Sequence, residues 1–291
     1  MKNLLLMCVL TILASSNVLS QDTLRMAVFN NRFLIVEITL NDSIRSQVIL
    51  DTGGGLELIS GRLFSRIRGS AKPNGIFTAF QSIGSRIDLE LYQIPSMQIG
   101  VNKKQNISVA PYPPLDDATG IDGIISMKLF EHQPFTMDFR SQKLVLESEQ
   151  SLENIIKQAE IVPLQEHNNQ NIALDIFVPV VLNDSIAILA EFDTGTGIEV
   201  LINPYFINTL GIDSLSGSIT VESFQNPDGR VQRKYIASIP SIGIAGSSHI
   251  RQENMSATFL KDFIYEGLIG WQLFRDHKVT IDYPNRRMLI R

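Results

Sequence analysis

One pattern written twice constrains this chain more than any other feature. Leu40-Asn41-Asp42-Ser43-Ile44 recurs 142 residues later as Leu182-Asn183-Asp184-Ser185-Ile186. At the same spacing Asp51-Thr52-Gly53 returns as Asp193-Thr194-Gly195, Glu57 as Glu199 and Phe64 as Phe206. Further along the spacing drifts to 144: Phe80-Gln81 matches Phe224-Gln225, Gly123-Ile124-Ile125 matches Gly267-Leu268-Ile269, and Asp138 matches Asp282. The landmarks keep their order, so a module of about 125–130 residues, the size of one domain, is present twice. The expected organisation is a first lobe over 21–148, a polar linker over 149–160 with Ser151 as helix N-cap, and a second lobe over 161–291.

Within each copy the periodicity is that of strands. Segments 32–40 and 170–182 are rich in apolar and β-branched residues and end at Asn-Asp turns. Segments 46–50 and 186–192 read as second strands running into the two Asp-Thr-Gly triplets. Hairpins are expected over 77–91, around Gly84, and over 218–236, around Asp228-Gly229. Short helices are expected at 60–67, 127–132, 204–210 and 271–277. Short strands with frequent turns predict an all-β fold of two barrel-like lobes.

The first twenty residues stand apart. Lys2, the apolar run from Leu4 to Ala14 and Val18-Leu19-Ser20 have the layout of a cleaved secretory signal, and the run is too short for a membrane anchor. The chain is therefore expected to be secreted or periplasmic. The lone cysteine, Cys8, lies in that segment, too early and after too poor a lead-in for lipid attachment. The remainder would have neither disulfides nor thiolate chemistry. It would carry 24 basic against 30 acidic residues, which speaks against general binding to nucleic acid or anionic membrane.

The two triplets carry the chemistry. One Asp-Thr-Gly is expected by chance about 0.06 times in a chain this long, and a turn after a strand explains a single copy. It does not explain threonine in both copies, in register, behind an apolar strand each time. Two carboxyls held close cannot both ionise, so one keeps a proton while the other stays charged. A water between them is then activated on one side, while the protonated partner binds the carbonyl under attack. Glycines let two such loops approach, and a threonine hydroxyl in each can bond across to the other. A two-fold relation between the modules would bring the loops together at the axis.

With these residues the chain resembles the aspartic peptidases of the pepsin and retroviral-protease type, over nearly its whole length after the signal. Val48-Ile49-Leu50-Asp51-Thr52-Gly53 and Ala190-Glu191-Phe192-Asp193-Thr194-Gly195 match that family's strand-and-loop segments, and Ile124-Ile125-Ser126 and Leu268-Ile269-Gly270 its closing segments. The resemblance implies two retropepsin-like modules fused in tandem and acting as a monomeric pseudo-dimer without a cofactor. Asp51 and Asp193 would be catalytic, and Thr52, Gly53, Thr194 and Gly195 would support their loops. A peptide or protein substrate would lie under hairpins near 78–88 and 222–232, with Phe80 and Phe224 as candidate flap contacts. Gly54-Gly55 and Thr196-Gly197 depart from the family's usual Ser or Ala followed by Ser or Thr. Ser126 stands where glycine is usual, no counterpart of the pepsin flap tyrosine is present, and the segment before the first strand is too short for an inhibitory propeptide. These departures keep open an alternative, a catalytically silent secreted peptide-binding protein of the same fold.

Other motifs give no competing chemistry. His132, His167, His249 and His277 lack metal-ligand spacing and read as surface or core residues, so no metal site is expected. There is no nucleophile elbow and no phosphate loop. Asp42 and Asp184 read as turn residues, Asp122 and Glu266 as loop charges.

Overall fold

The computed structural model describes residues 22–117, 120–212, 219–225 and 231–291. The signal-like segment with Lys2 and Cys8, Ser218 and the Asp228-Gly229 turn lie outside the described residues. The chain is all-β, two lobes built as eight-stranded sheets, with only two short α-helices among the described residues.

The duplication is carried through to topology. In the first lobe the strands lie in the order Ala27–Phe29, Phe33–Leu40, Ile44–Leu50, Gly123–Ile125, Leu58–Ile59, Asn102–Pro111, Arg86–Ile99 and Lys72–Phe80. In the second the order is Gln165–Asn169, Ala173–Leu182, Ile186–Asp193, Gly267–Gly270, Val200–Ile202, Arg251–Leu260, Val231–Ile244 and Thr220–Gln225. Each sheet also closes on itself through the same extra pairing, Phe33–Leu40 with Arg86–Ile99 and Ala173–Leu182 with Val231–Ile244. Strand Phe33–Leu40 buries alternate residues, Leu34, Val36, Ile38 and Leu40, as a sheet with one covered face requires. Its turn puts Asn41 and Asp42 at φ 48° and 61°, and the second lobe repeats this with Asn183 and Asp184 at 48° and 58°. Such left-handed pairs match the twist of a hairpin, and Asn and Asp tolerate them best. Ser96 and Ser241 donate to the Asp42 and Asp184 carboxylates at 3.2 Å, so both acids belong to the turns.

A third sheet joins the lobes, in the order Asp22–Arg25, Lys143–Leu146, Phe135–Asp138, Lys278–Asp282, Arg287–Ile290 and Glu160–Pro163. Its central pair is antiparallel with Thr136 opposite Thr280, and their hydroxyls are 2.7 Å apart. Residues related by the repeat thus face each other across the pair, which places a near two-fold axis there. One hydrophobic core runs through both lobes and this sheet, with Phe130, Phe135, Phe192, Phe259 and Phe274 fully buried.

The helices correct the sequence reading in places. Gly61–Ile67 forms as expected with Ser60 as N-cap. The other three segments give only single 3-10 turns, Met127–Phe130, Pro204–Phe206 and Trp271–Phe274. The helix between the lobes spans Glu149–Ile156, and Ser148 rather than Ser151 caps it, accepting the Ser151 amide at 3.2 Å. Ser151 lies inside the first turn, where its hydroxyl returns to the Glu147 carboxylate. Among the described residues no helix is long and apolar enough to cross a membrane.

Candidate active site

Both Asp-Thr-Gly loops leave the ends of equivalent strands, Ile44–Leu50 and Ile186–Asp193, and meet between the lobes. Each strand is pinned by a parallel neighbour, Leu50 to Ile125 and Asp193 to Gly270. Thr52 and Thr194 are fully buried and bind reciprocally. The Thr52 amide donates to the Thr194 hydroxyl and the Thr194 amide to the Thr52 hydroxyl, both at 3.1 Å. The Thr194 hydroxyl then donates to the Leu50 carbonyl at 2.6 Å, and the Thr52 hydroxyl to the Phe192 carbonyl. The amide and hydroxyl of each threonine are thus bonded to the opposite half.

This lattice sets the carboxyls. Asp51 and Asp193 are hydrogen-bonded to each other. The Gly53 amide donates to Asp51 at 3.0 Å and the Gly195 amide to Asp193 at 2.7 Å. The neighbouring amides of Gly54 and Gly195 also favour the charged form of Asp51, and that of Thr196 the charged form of Asp193. Burial raises both acids above the ordinary aspartate range. Asp193 rises further, because the Asp51 charge and the hydrogen bond between the two act against its ionisation. A single proton is therefore shared by the pair, one carboxyl staying charged while the other is protonated. The glycines permit the approach: a Cβ on Gly195 would fall on the Asp51 carboxyl, and one on Gly53 would stand 3.0 Å from Asp193 Cγ.

The departures from the family pattern have local causes. Any side chain at Gly54 would bring a Cβ to 2.9 Å from the Asp51 carboxyl, while Gly55 adopts φ 66° and gives its carbonyl to the Leu174 amide of the other lobe at 2.8 Å. Ser126 is buried and donates to Glu57 at 3.1 Å, and burial lifts Glu57 to about 7. In the second lobe Glu199 pairs with Arg275 instead, and a Cβ on Gly270 would strike the Ile198 carbonyl at 2.5 Å. Serine fits in one lobe and glycine is required in the other.

Above the dyad lies a cleft of about 580 Å³. Its roof is the hairpin of Lys72–Phe80 and Arg86–Ile99, whose tip reaches the second lobe. The Ile264 amide donates to the Ser82 carbonyl at 2.9 Å, and Ile83 packs on Leu201, Leu260, Phe263 and Leu268. Phe80 lines the cleft and is 60% exposed. Phe224 joins the apolar cluster around Leu201 and is not among the residues lining the cleft. The two phenylalanines are matched in sequence and differ in setting. Glu191, Asp175, Tyr265 and His167 also line the cleft, and the sequence reading did not single out the first three. The sequence signal was Glu191 itself, an acid on a strand otherwise apolar from Ile186 to Phe192 and two residues from Asp193.

The remaining candidates are structural. Asp122 accepts from Ser46 at 2.6 Å and Glu266 from the Leu189 amide at 2.7 Å. His249 faces Glu160 at 3.2 Å, and no cluster of metal-ligating side chains occurs among the described residues.

No protein-family model and no curated protein matches this sequence. Solved structures do. EDGP is similar at TM-score 0.55 and 11% identity, covering 93% of this chain and 94% of its own. Basic 7S globulin from soybean is similar at 0.52 and 9%, and conglutin gamma, a basic 7S globulin from lupine seeds, at 0.52 and 10%, each with the same coverage. The chain has the two-lobed pepsin-like fold. At such low identity the likeness concerns the fold alone.

Proposed function

We propose that this chain is an exported aspartic endopeptidase. The observation that carries the reading is the pair of hydrogen-bonded carboxyls, Asp51 and Asp193, locked by reciprocal threonine bonds at the floor of a cleft. The charged carboxyl of the pair takes a proton from a water between the two as that water attacks the peptide carbonyl carbon, and the protonated carboxyl gives its proton to the carbonyl oxygen. The first then passes the water's proton to the amide nitrogen, which leaves as a hydroxyl of the diol returns a proton to the second. A peptide lies extended between the lobes beneath the first hairpin, held through its backbone. One chain supplies both acids, so a monomer suffices, and no cofactor enters the scheme.

A second reading has its own support. Two of the similar structures carry the name of a globulin and none that of a peptidase, which favours a secreted peptide-binding protein without turnover. Incubation with a denatured protein from pH 3 to 8, with and without a statine-type inhibitor, separates the two. The peptidase reading expects inhibitor-sensitive fragments that vanish in both Asp51→Asn and Asp193→Asn. Intact substrate at every pH, with inhibitor still bound, selects the binding protein. Cleavage that survives either substitution removes the shared dyad.

A further inference from the structure

Two carboxylates in the cleft have no part in the dyad. Glu191 precedes Asp193 by two residues on one strand, so both side chains point to the same face. Asp175 lies on the adjacent strand Ala173–Leu182, and both acids line the cleft with the dyad. The point where a Cβ of Gly53 would stand is 3.0 Å from Asp193 Cγ and 3.2 Å from Glu191 Cδ. The corresponding point of Gly55 is 3.3 Å from Asp175 Oδ1.

Neither acid is satisfied by the fold. Glu191 is 3% exposed, and among the described residues no group donates a hydrogen bond to its carboxyl. The Asp175 side chain is 13% exposed and has only the His167 Nδ1 at 3.7 Å, beyond hydrogen-bond length. Buried carboxyls without donors cost stability, so the fold alone gives no reason for them. The repeat gives none either: the matching positions of the first lobe are Phe33 and Ile49. Tyr265 stands beside them, edge-on to Phe177 at 5.1 Å, and supplies an aromatic wall.

We propose that Glu191 and Asp175 form a subsite for a cationic side chain, lysine or arginine, of the bound peptide, next to the bond held over the dyad. The proposal rests on the cleft being a peptide site, whether or not the peptide is cut. A guanidinium or ammonium supplies the donors both acids lack, and its aliphatic stem lies along Tyr265. Burial, with the Asp51 charge, lifts Asp175 to about 7, and Glu191 is likewise raised by burial and by Asp193, Asp175 and Asp51. A cation in the subsite reverses this, so its binding near neutral pH releases protons.

The test has two arms. In the first, wild type cuts a randomised peptide library, and lysine or arginine is expected at one fixed position within about three residues of the cut. Glu191→Gln and Asp175→Asn should each lower the ratio of basic to neutral residues there by about tenfold, the worth of a charge-assisted bond. In the second arm, which needs no turnover, a statine-type peptide carrying lysine is titrated calorimetrically against its norleucine analogue, in buffers of different ionisation enthalpy. The lysine probe should bind about tenfold tighter to wild type, with proton release, and lose that advantage in both variants. A lysine advantage without cleavage keeps the subsite and removes the peptidase. Cleavage without basic preference, or equal binding of both probes, removes the subsite and leaves the peptidase untouched. Failure of both probes to bind overturns it too.

Discussion

Replacing Thr194 by valine tests the crossing of the two loops directly. Valine keeps the shape and removes the hydroxyl, which donates to the Leu50 carbonyl at 2.6 Å and accepts the Thr52 amide at 3.1 Å. Thr194 is fully buried, so water cannot reach either orphaned group. Each unpaired buried group costs about 1–3 kcal/mol, which makes the loss roughly 2–6 kcal/mol. Thr52→Val orphans the Phe192 carbonyl and the Thr194 amide and should cost a similar amount. Both changes loosen one lattice, so the double variant should cost less than the singles together, by about 0.5–3 kcal/mol. Denaturant unfolding of wild type, both singles, the double and Thr194→Ser supplies the numbers. Serine restores the hydroxyl and should recover most of the loss. A Thr194→Val cost below about 1 kcal/mol, or strict additivity, would refute the reasoning, because buried reciprocal bonds cannot be lost so cheaply.

Three further outcomes follow from the same geometry. Burial lifts Glu57 and Asp175 to about 7 and also raises Asp193 and Glu191, so the folded chain keeps protons that unfolded carboxyls release near about pH 4. That stability is complete below the unfolded values and fades as pH rises through 7. Glu160, which burial raises but hydrogen bonds from Ser247, Ser248 and the His249 amide hold down to about 2, loses its contribution as pH falls toward 2. Unfolding midpoints should therefore peak between about pH 3 and 5, and a steady rise from pH 4 to 8 would contradict the assigned burial. Gly54→Ala should abolish any cleavage by pushing the Asp51 carboxyl aside. Gly69→Ala, where a Cβ meets nothing within 4 Å, should change stability by under about 1 kcal/mol and leave turnover intact. Ile83→Ser should free the hairpin tip from its apolar seat, seen as faster nicking near 81–85 by an added protease; unchanged nicking would show that the tip is held only by its backbone bond to Ile264.

The repeat made much of this architecture legible, because strand order depends on the succession of strands and turns, and both halves keep that succession. The Asp-Thr-Gly pair was legible because its glycines and threonines serve backbone geometry, which leaves a mark in sequence. Other features rest on contacts between residues far apart in the chain. Asp138 and Asp282 were visible as matched landmarks, but not that their strands, Phe135–Asp138 and Lys278–Asp282, pair with each other across the lobes. Three of the four short helices shrank to 3-10 turns because tertiary packing outweighs weak helical periodicity over so few residues. Ser151 looked like a cap and was displaced by Ser148, three residues earlier, a boundary shift that composition alone does not resolve. The acids beside the dyad gave the weakest signal of all, since one polar residue on a strand reads as a solvent-facing position until the opposite lobe covers it.

Duplication has a chemical consequence that only the differences between the halves resolve. Under perfect two-fold symmetry the two carboxyls would be equivalent, and a single shared proton would have no preferred owner. The symmetric parts, the threonine lattice and the amides of Gly53 and Gly195, hold the acids together without choosing between them. The choice comes from what the halves do not share. Glu191, two residues from Asp193, adds an acid where the first lobe has Ile49, and the repulsion that raises Glu191 acts back on Asp193. That difference biases the shared proton toward Asp193 and the charge toward Asp51. The lobes can therefore stay alike in backbone while becoming unlike in charge, and one chain gains a polarity that two identical halves could not have.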